Sequence, residues 1–330
     1  MGGTIAGVAD ASAPRGYRAG DVPIAALASG LGLPTGCTLE TEQVAQVDSK
    51  DMDEALWLAL ARRAEHWLGQ ADVCGLVVTH GTDTLEETAF FLHAVLDPVK
   101  PLVVTGAMRP STDPRADGPG NLRDAIVVAA HADAHGVLVV FAGQVFAGDE
   151  VRKVHPHRVD AFAAGDAGPL ASIDGDGVRA VRPWPSGGSP RSPDALDALA
   201  RRLDSGGRLP WVAWLVSHAG STGGEVVALV AAGVDGLVVG GTGNSMPHHR
   251  MEDALRQARS AGVRVLVGSR CSLGDADAPG LPGDTAAGAA LQPAKARIAL
   301  QLQLLLAEAS GGATGKAGLT SSTGPAAPGR

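Results

Sequence analysis

Short runs of branched apolar residues recur along the chain, each separated from the next by a stretch with helical spacing. Leu76-Val77-Val78-Thr79 precedes a helical segment from about Thr84, Leu102-Val103-Val104 follows it, and Val137 to Val140 comes after a helical stretch from Asn121 to Ala134. A run that is apolar on both faces needs cover on both sides, so this alternation predicts a parallel sheet with helices packed over it. Residues 53–68 add a covering helix, with Leu56, Leu60, Ala64 and Trp67 on one stripe and Arg62, Arg63 and Glu65 left for solvent.

At 330 residues the chain has room for about two domains. The fold class is therefore α/β, with a larger N-terminal parallel-sheet domain over residues 1–183 and a smaller C-terminal α/β domain over 211–309. Residues 184–210 are rich in Pro, Gly and Ser, broken by one short helical pattern, and are expected to be an interdomain linker. The alternation then resumes, with strands at Val212–Val216, Gly236–Val239 and Val263–Val267 and helices at Glu225–Ala232, His249–Ala261 and Ala294–Ala309. Residues 310–330 carry almost no large apolar group and are expected to form a disordered tail.

The charge balance narrows the partners. A net charge of −8 gives no electrostatic footprint for nucleic acid or an acidic membrane, and a small polar molecule fits better. The longest uncharged stretch, Val22 to Leu39, is interrupted by prolines and glycines, unlike a spanning helix. Cys37, Cys74 and Cys271 lie far apart in the chain with no metal-ligand or redox spacing, so no metal site or disulfide framework is expected and a reducing, cytoplasmic setting is favoured. No basic region followed by an apolar one opens the chain, so no secretory signal is read. Aromatic residues are 3% of the chain and include a single tyrosine, Tyr17.

Loops after parallel strands are where such sheets bind ligands, so polar clusters there carry weight. The clearest is Thr79-His80-Gly81-Thr82-Asp83-Thr84 after the first long run. Asp83 or Thr84 can cap the following helix, with Glu86 or Glu87 completing a capping box. The imidazole and the additional Thr82 exceed what a cap needs. Gly2-Gly3-Thr4-Ile5-Ala6-Gly7 reads either as a flexible terminus or as a turn that brings backbone N–H groups to an oxyanion beside a hydroxyl nucleophile. The long polar loop from Gly106 to Asn121 is functional or mobile by its length, and Arg109 with Asp117 suits an ion pair that holds it. Lys153 alone reads as a surface lysine. Gly240 to Ser245 looks superficially like a phosphate cradle but lacks the full GxGxxG and the Walker lysine, so a nicotinamide oxidoreductase rests on this loop alone.

Taken in order, GGTIAG at Gly2, DSKDM at Asp48, THGTDTLEETAFFL at Thr79, GAMRPST at Gly106, ADGPGNL at Ala116, GTGN at Gly241 and LQPAKARIALQL at Leu291 closely resemble the bacterial L-asparaginase and glutaminase-asparaginase family. The resemblance runs from Met1 to about Leu306. It implies hydrolysis of L-asparagine to L-aspartate and ammonia through a threonine acyl-enzyme, with lesser action on L-glutamine, no cofactor and no metal. It also implies a homotetramer with active sites between neighbouring subunits. Residue by residue, it implies Thr4 as nucleophile, Tyr17 as a loop residue over it, and Thr82, Asp83 and Lys153 as the group that activates it. Ser49 would hold the substrate α-carboxylate, Asp83 its α-amino group, and the carbonyl of Ala107 would face the leaving amide nitrogen.

Four departures qualify the resemblance. No apolar strand leads into Gly2, so Thr4 is expected on an unanchored terminus. Lys50 stands where well-known members have glutamine. The asparagine expected from a neighbouring subunit is not evident around Gly220, and either Asp275 or Asp277 would supply the acidic group that crosses the interface. Two further functions are weighed against hydrolysis: a non-catalytic amino-acid-binding pseudo-enzyme, motivated by that missing strand, and an ammonia-producing subunit of a tRNA-dependent amidotransferase.

Overall fold

The structure is a computed structural model that describes residues 1–10, 12, 17–18, 20–96, 98–175, 177–185, 193–274 and 291–310. Its elements are β1 (Val8–Ala9), β2 (Tyr17–Arg18), α1 (Ile24–Leu27), α2 (Glu54–Leu68), β3 (Leu76–Thr79), α3 (Leu85–Val95), β4 (Pro101–Thr105), α4 (Gly118–Ala129), β5 (Gly136–Phe141), β6 (Gln144–Ala147), β7 (Arg152–Lys153), β8 (Phe162–Ala163), β9 (Ala171–Asp174), β10 (Gly177–Ala180) and α5 (Pro193–Asp204). The C-terminal part adds β11 (Val212–Val216), α6 (Gly224–Ala231), β12 (Gly236–Gly241), α7 (His249–Ser260), β13 (Arg264–Ser269) and α8 (Pro293–Ala309).

The N-terminal sheet has the order β10-β9-β6-β5-β4-β3. Only β3, β4 and β5 are parallel; β6, β9 and β10 join antiparallel. The switch is local. Ala142 and Gly143, both at positive φ, form the two-residue turn between β5 and β6, and a turn that short returns the chain antiparallel. The apolar runs alternate as a sheet covered on both faces must. Leu102, Val104, Val137 and Val139 share one core with α2 and α3, whereas Val103, Leu138 and Val140 face α4. Leu102 is fully buried, so Leu102→Ala would cost about 2–5 kcal/mol.

Helix α2 starts where Asp53 accepts the N–H of Leu56 with its carboxylate. Its buried stripe is Trp57, Leu58, Leu60, Ala61 and Ala64. That is rotated from the expected one, leaving Leu56 and Trp67 half-buried, because Trp57 stacks on Phe91 of α3 with ring centroids 4.9 Å apart. A cavity of about 410 Å³ lies along the outer side of β3, lined by Met1, Ala64, Trp67, Leu76 and Ile126 among others.

The C-terminal sheet is parallel throughout, in the order β11-β12-β13. Helices α6 and α7 cover one face and α8 the other. Helix α8 has two apolar stripes. Ala296, Leu300 and Leu304 pack on the C-terminal sheet, while Ile298, Leu302 and Leu305 enter the large N-terminal core. The expected linker differs in the same way. Its helical pattern is α5, whose Ala195, Leu196, Ala198 and Leu199 are buried in that core, so this part of 184–210 is packed structure. The rest of the stretch, 186–192, and the expected tail beyond residue 310 lie outside the described residues.

Candidate active site

The loop leaving β3 is pinned before it turns. His80 donates its backbone N–H to Thr105 O at 2.8 Å, continuing the β3–β4 ladder by one bond. Its buried ring places Nδ1 2.8 Å from Gly81 O and Nε2 3.0 Å from Thr88 Oγ1, and the same hydroxyl accepts from Trp57 Nε1 at 2.9 Å. Burial pushes the His80 pKa down to about 4. A neutral ring then donates from Nδ1 to the Gly81 carbonyl and accepts the Thr88 hydroxyl at Nε2.

Two glycines let separate loops meet at this point. A Cβ on Gly3 would lie 2.2 Å from Gly81 Cα, and a Cβ on Gly81 would lie 2.5 Å from Ser49 Oγ. With no side chain at either position, the backbones of the loops carrying Thr4 and Thr82 meet, and the Ser49 side chain packs directly on Gly81. Ser49 is buried; its Oγ accepts the N–H of Asp83 at 3.2 Å, and its carbonyl accepts the Thr84 hydroxyl at 2.7 Å. Thr84 thus stands at the N-cap of α3 but gives its hydroxyl to the Ser49 segment, and no side chain caps the helix. The capping box is absent as well: Glu86 accepts the backbone N–H of Lys153, and Glu87 pairs with Arg297 at 2.9 Å. Burial raises the pKa of Glu86.

Lys153 is not a surface lysine. Its ammonium donates to Thr82 Oγ1 at 2.8 Å and to Asp83 Oδ1 at 2.9 Å, and its side chain is 17% exposed. An ammonium touching both a hydroxyl and a carboxylate can stabilise negative charge on oxygen and relay a proton. Thr82 is buried, and Asp83 sits at the rim.

Thr4 is not on an unanchored terminus. It is buried, and Met1 is buried before it, with Met1 O accepting the N–H of Val47 at 3.2 Å and Gly2 bridging parallel to Val47. After it, Ile5 and Ala6 pack with Ala107, Leu122 and Ile126, and Gly7 O accepts both the N–H and the hydroxyl of Ser111. Tyr17 pairs with Ala9 in the small β1–β2 ribbon, so it lies on the segment that follows Thr4. Ala107 is buried where β4 ends, in the loop to which Thr4's segment is tied.

The Arg109–Asp117 ion pair is replaced by something tighter. Asp117 accepts the backbone N–H groups of Met108 and Arg109, both at 2.9 Å, while the Arg109 guanidinium donates to Arg115 O. Asn121 then ties the loop to the sheet, donating to Gly106 O at 2.9 Å and accepting the N–H of Ala142 at 3.0 Å. The loop after β12 does not present its amides as a phosphate cradle would. Thr242 and Met246 exchange backbone bonds, Ser245 N donates to Gly243 O, and Ser269 Oγ donates to Gly243 O. Lys50 pairs with Asp51 and lies 3.6 Å from Asp48, on either side of Ser49. Asp275 and Asp277 lie outside the described residues.

The fold thus brings Thr4, Ser49, Thr82, Asp83 and Lys153 to the end of the parallel strands. Sequence reasoning missed the Thr88–Trp57 support behind His80, the pin at Asn121, and the buried Lys295. A signal for the last existed in principle, since a lysine inside a helix with apolar stripes on two sides has nowhere polar to go. Among the described residues, no group of three or more His, Cys, Asp or Glu is arranged to hold a metal. The three cysteines are free thiols.

Comparison with known proteins gives the family. Residues 1–185 match the family description "Asparaginase, N-terminal", and residues 211–311 match "Glutaminase/Asparaginase C-terminal domain". The chain is 36% identical to L-asparaginase 2 of Escherichia coli (strain K12) over 310 residues, covering 92% of this chain and 86% of that protein. It is 34% identical to a glutaminase-asparaginase of Pseudomonas fluorescens biotype A, covering 92% and 84%. Among solved structures, a probable cytoplasmic L-asparaginase from Campylobacter jejuni superimposes with a TM-score of 0.78 at 33% identity, covering 92% of this chain and 93% of that one. The chain belongs to the asparaginase and glutaminase-asparaginase family.

Proposed function

We propose that this protein hydrolyses the side-chain amide of L-asparagine to L-aspartate and ammonia, with lesser action on L-glutamine, and that Thr4 is the nucleophile. The observation that carries this is the Lys153 ammonium, hydrogen-bonded to both Thr82 and Asp83 beside the loop that buries Thr4. In this reading Thr4 Oγ bonds to the amide carbon while its proton passes, through the Thr82–Lys153–Asp83 group, to the leaving nitrogen. The carbon–nitrogen bond breaks and ammonia departs. Water then attacks the ester; its proton returns to Thr4 Oγ, and aspartate is released. Backbone N–H groups near Gly3 and Thr82 hold the negative charge on the carbonyl oxygen.

Ser49 is assigned to the α-carboxylate, Asp83 to the α-amino group, the Ala107 carbonyl to the departing nitrogen, and Tyr17 to closure over the nucleophile. Pairing both α-groups selects a small zwitterion, because a site group left unpaired costs on the order of 1–3 kcal/mol. The burial of Thr4 removes the unanchored terminus that motivated the pseudo-enzyme reading.

Two further assignments complete the proposal. The protein works as a homotetramer, a reading supported by Trp211 and Trp214, which stand 45% and 50% exposed at or near the edge strand β11. It is cytoplasmic, consistent with three free thiols and with the described location of the similar Campylobacter jejuni protein.

The decisive experiment is ammonia release from L-asparagine by the wild type, Thr4→Ala and Lys153→Met. Each variant should lose about 10³-fold or more in kcat with its melting temperature and light-scattering mass kept. Full turnover by either one rejects the assignment, and a monomeric mass for active wild type rejects the tetramer.

A further inference from the structure

Lys295 lies in the first turn of α8, in the part of the chain that matches the C-terminal family description. Its side chain is 2% exposed, and its ammonium donates to the carbonyls of Asp149 at 2.8 Å and Val151 at 2.5 Å. Neither acceptor is a carboxylate. Burying an ammonium against neutral carbonyls is expensive, and here the desolvation lowers its pKa to about 8. What this arrangement secures is the stretch that carries Lys153, two residues after Val151.

Backbone bonds from Glu150 and Val151 to Ala147 O and from Val154 to Ala161 O hold its two ends, but the regular pairing between them is short. Strand β7 is two residues long and pairs only with the equally short β8, through Arg152–Ala163 and Lys153–Phe162. The Lys153 ammonium nevertheless has to meet Thr82 and Asp83 at 2.8 and 2.9 Å at once. Glu86 fixes the Lys153 backbone from the α3 side, and Lys295 fixes the carbonyls of Asp149 and Val151, four and two residues before it, from the α8 side. Arg297 on the same helix holds Glu87, one residue past Glu86, so α8 grips both elements that supply the cluster. An apolar residue at 295 would leave the buried Val151 carbonyl and the part-buried Asp149 carbonyl without this donor.

We propose that Lys295 is a positioning residue for Lys153, acting through the Asp149 and Val151 carbonyls, so that the C-terminal half of the chain sets the geometry of a site built on the N-terminal sheet. The proposal rests on the amidohydrolase reading for its kinetic readout and on Lys153 alone for its structural one.

The experiment compares Lys295→Met, Lys153→Met and the double variant. Lys295→Met should lower kcat at least 10-fold with KM for L-asparagine within twofold, since binding groups are untouched. The double variant should be no more than twofold slower than Lys153→Met alone, because the effect of Lys295 passes through Lys153. Losses that multiply in the double variant, or a rise in KM with kcat unchanged, overturn the proposal. A turnover-independent readout is the rate at which an amine-acylating reagent modifies Lys153 in the folded protein, followed by peptide mass spectrometry. That rate should rise at least threefold in Lys295→Met, and an unchanged rate overturns the proposal even if the wild type releases no ammonia, a result that would itself sink only the amidohydrolase reading. Should Lys295→Met not fold, Lys295→Gln, which keeps two N–H donors on a shorter stem, carries the same kinetic and labelling tests.

Discussion

The two threonines at the centre of this site are held by different means. Thr82 follows a strand of the six-stranded sheet, leads into α3, and rests on the His80–Thr88–Trp57 chain of hydrogen bonds behind it. Thr4 stands three residues into the chain on a single helical turn, bridged to the rest at Gly2–Val47 and tied through Gly7 to Ser111. One half of the site inherits its position from the sheet. The other is placed by glycines that allow backbone contact and by hydrogen bonds to neighbouring loops. The lesson is that the N-terminal half depends on close approach and the strand-end half on packing, so the two should fail in different ways.

The largest effect that separates them is expected at Gly3. It sits at φ +83°, and an added Cβ would meet Gly81 Cα at 2.2 Å, so Gly3→Ala should cost about 3 kcal/mol or more and abolish turnover. Thermal unfolding and ammonia release check this, and a variant of wild-type stability would show that the loops do not touch as described.

A test of the strand-end half is acid. The pKa of His80 is depressed by burial from 6.5 to about 4, so its neutral form favours the fold above pH 6.5, and that stability is lost as pH falls through the window from 6.5 to 4. The loss amounts to roughly 3 kcal/mol. Melting temperatures at pH 7 and 4.5 should therefore diverge more in the wild type than in His80→Gln, and parallel curves would contradict the neutral ring.

Ser49 links both halves, since its segment bridges Gly2 at Val47 while Gly81 packs on it and Asp83 donates to it. Ser49→Ala should raise KM for L-asparagine about 10-fold with kcat within threefold, which initial-rate kinetics decides. The smallest effect is the control. Gly30 has φ +76°, but nothing lies within 4 Å of where a Cβ would stand, so Gly30→Ala should cost no more than about 1 kcal/mol and leave activity intact. If it matched Gly3→Ala, the close approach at Gly81 would not be the cause of the larger loss.

Much of this architecture was legible in the chain. The apolar runs at Leu76, Leu102 and Val137 are strands because a segment apolar on alternate positions to both sides can be satisfied only between two helical layers. Thr82 and Asp83 stood out because a strand end with more polar groups than a helix cap can use invites a ligand. The antiparallel half of the sheet was less visible, since it depends on the positive φ of Ala142, a residue with no turn signature of its own.

By itself, then, the sequence determined the local periods, the strand-end polar clusters and their order along the chain, all of which are properties of neighbours within about ten residues. The family resemblance already groups Lys153 with Thr82 and Asp83, but tertiary structure alone decided how they meet, that Thr4 is buried, that α5 is core, and that Lys295 reaches from α8 to Asp149 and Val151. The reason is separation: Lys153 and Thr82 are 71 positions apart, and Lys295 and Val151 are 144. Contacts over such spans are set by how whole layers pack, and no local pattern of residue types encodes them.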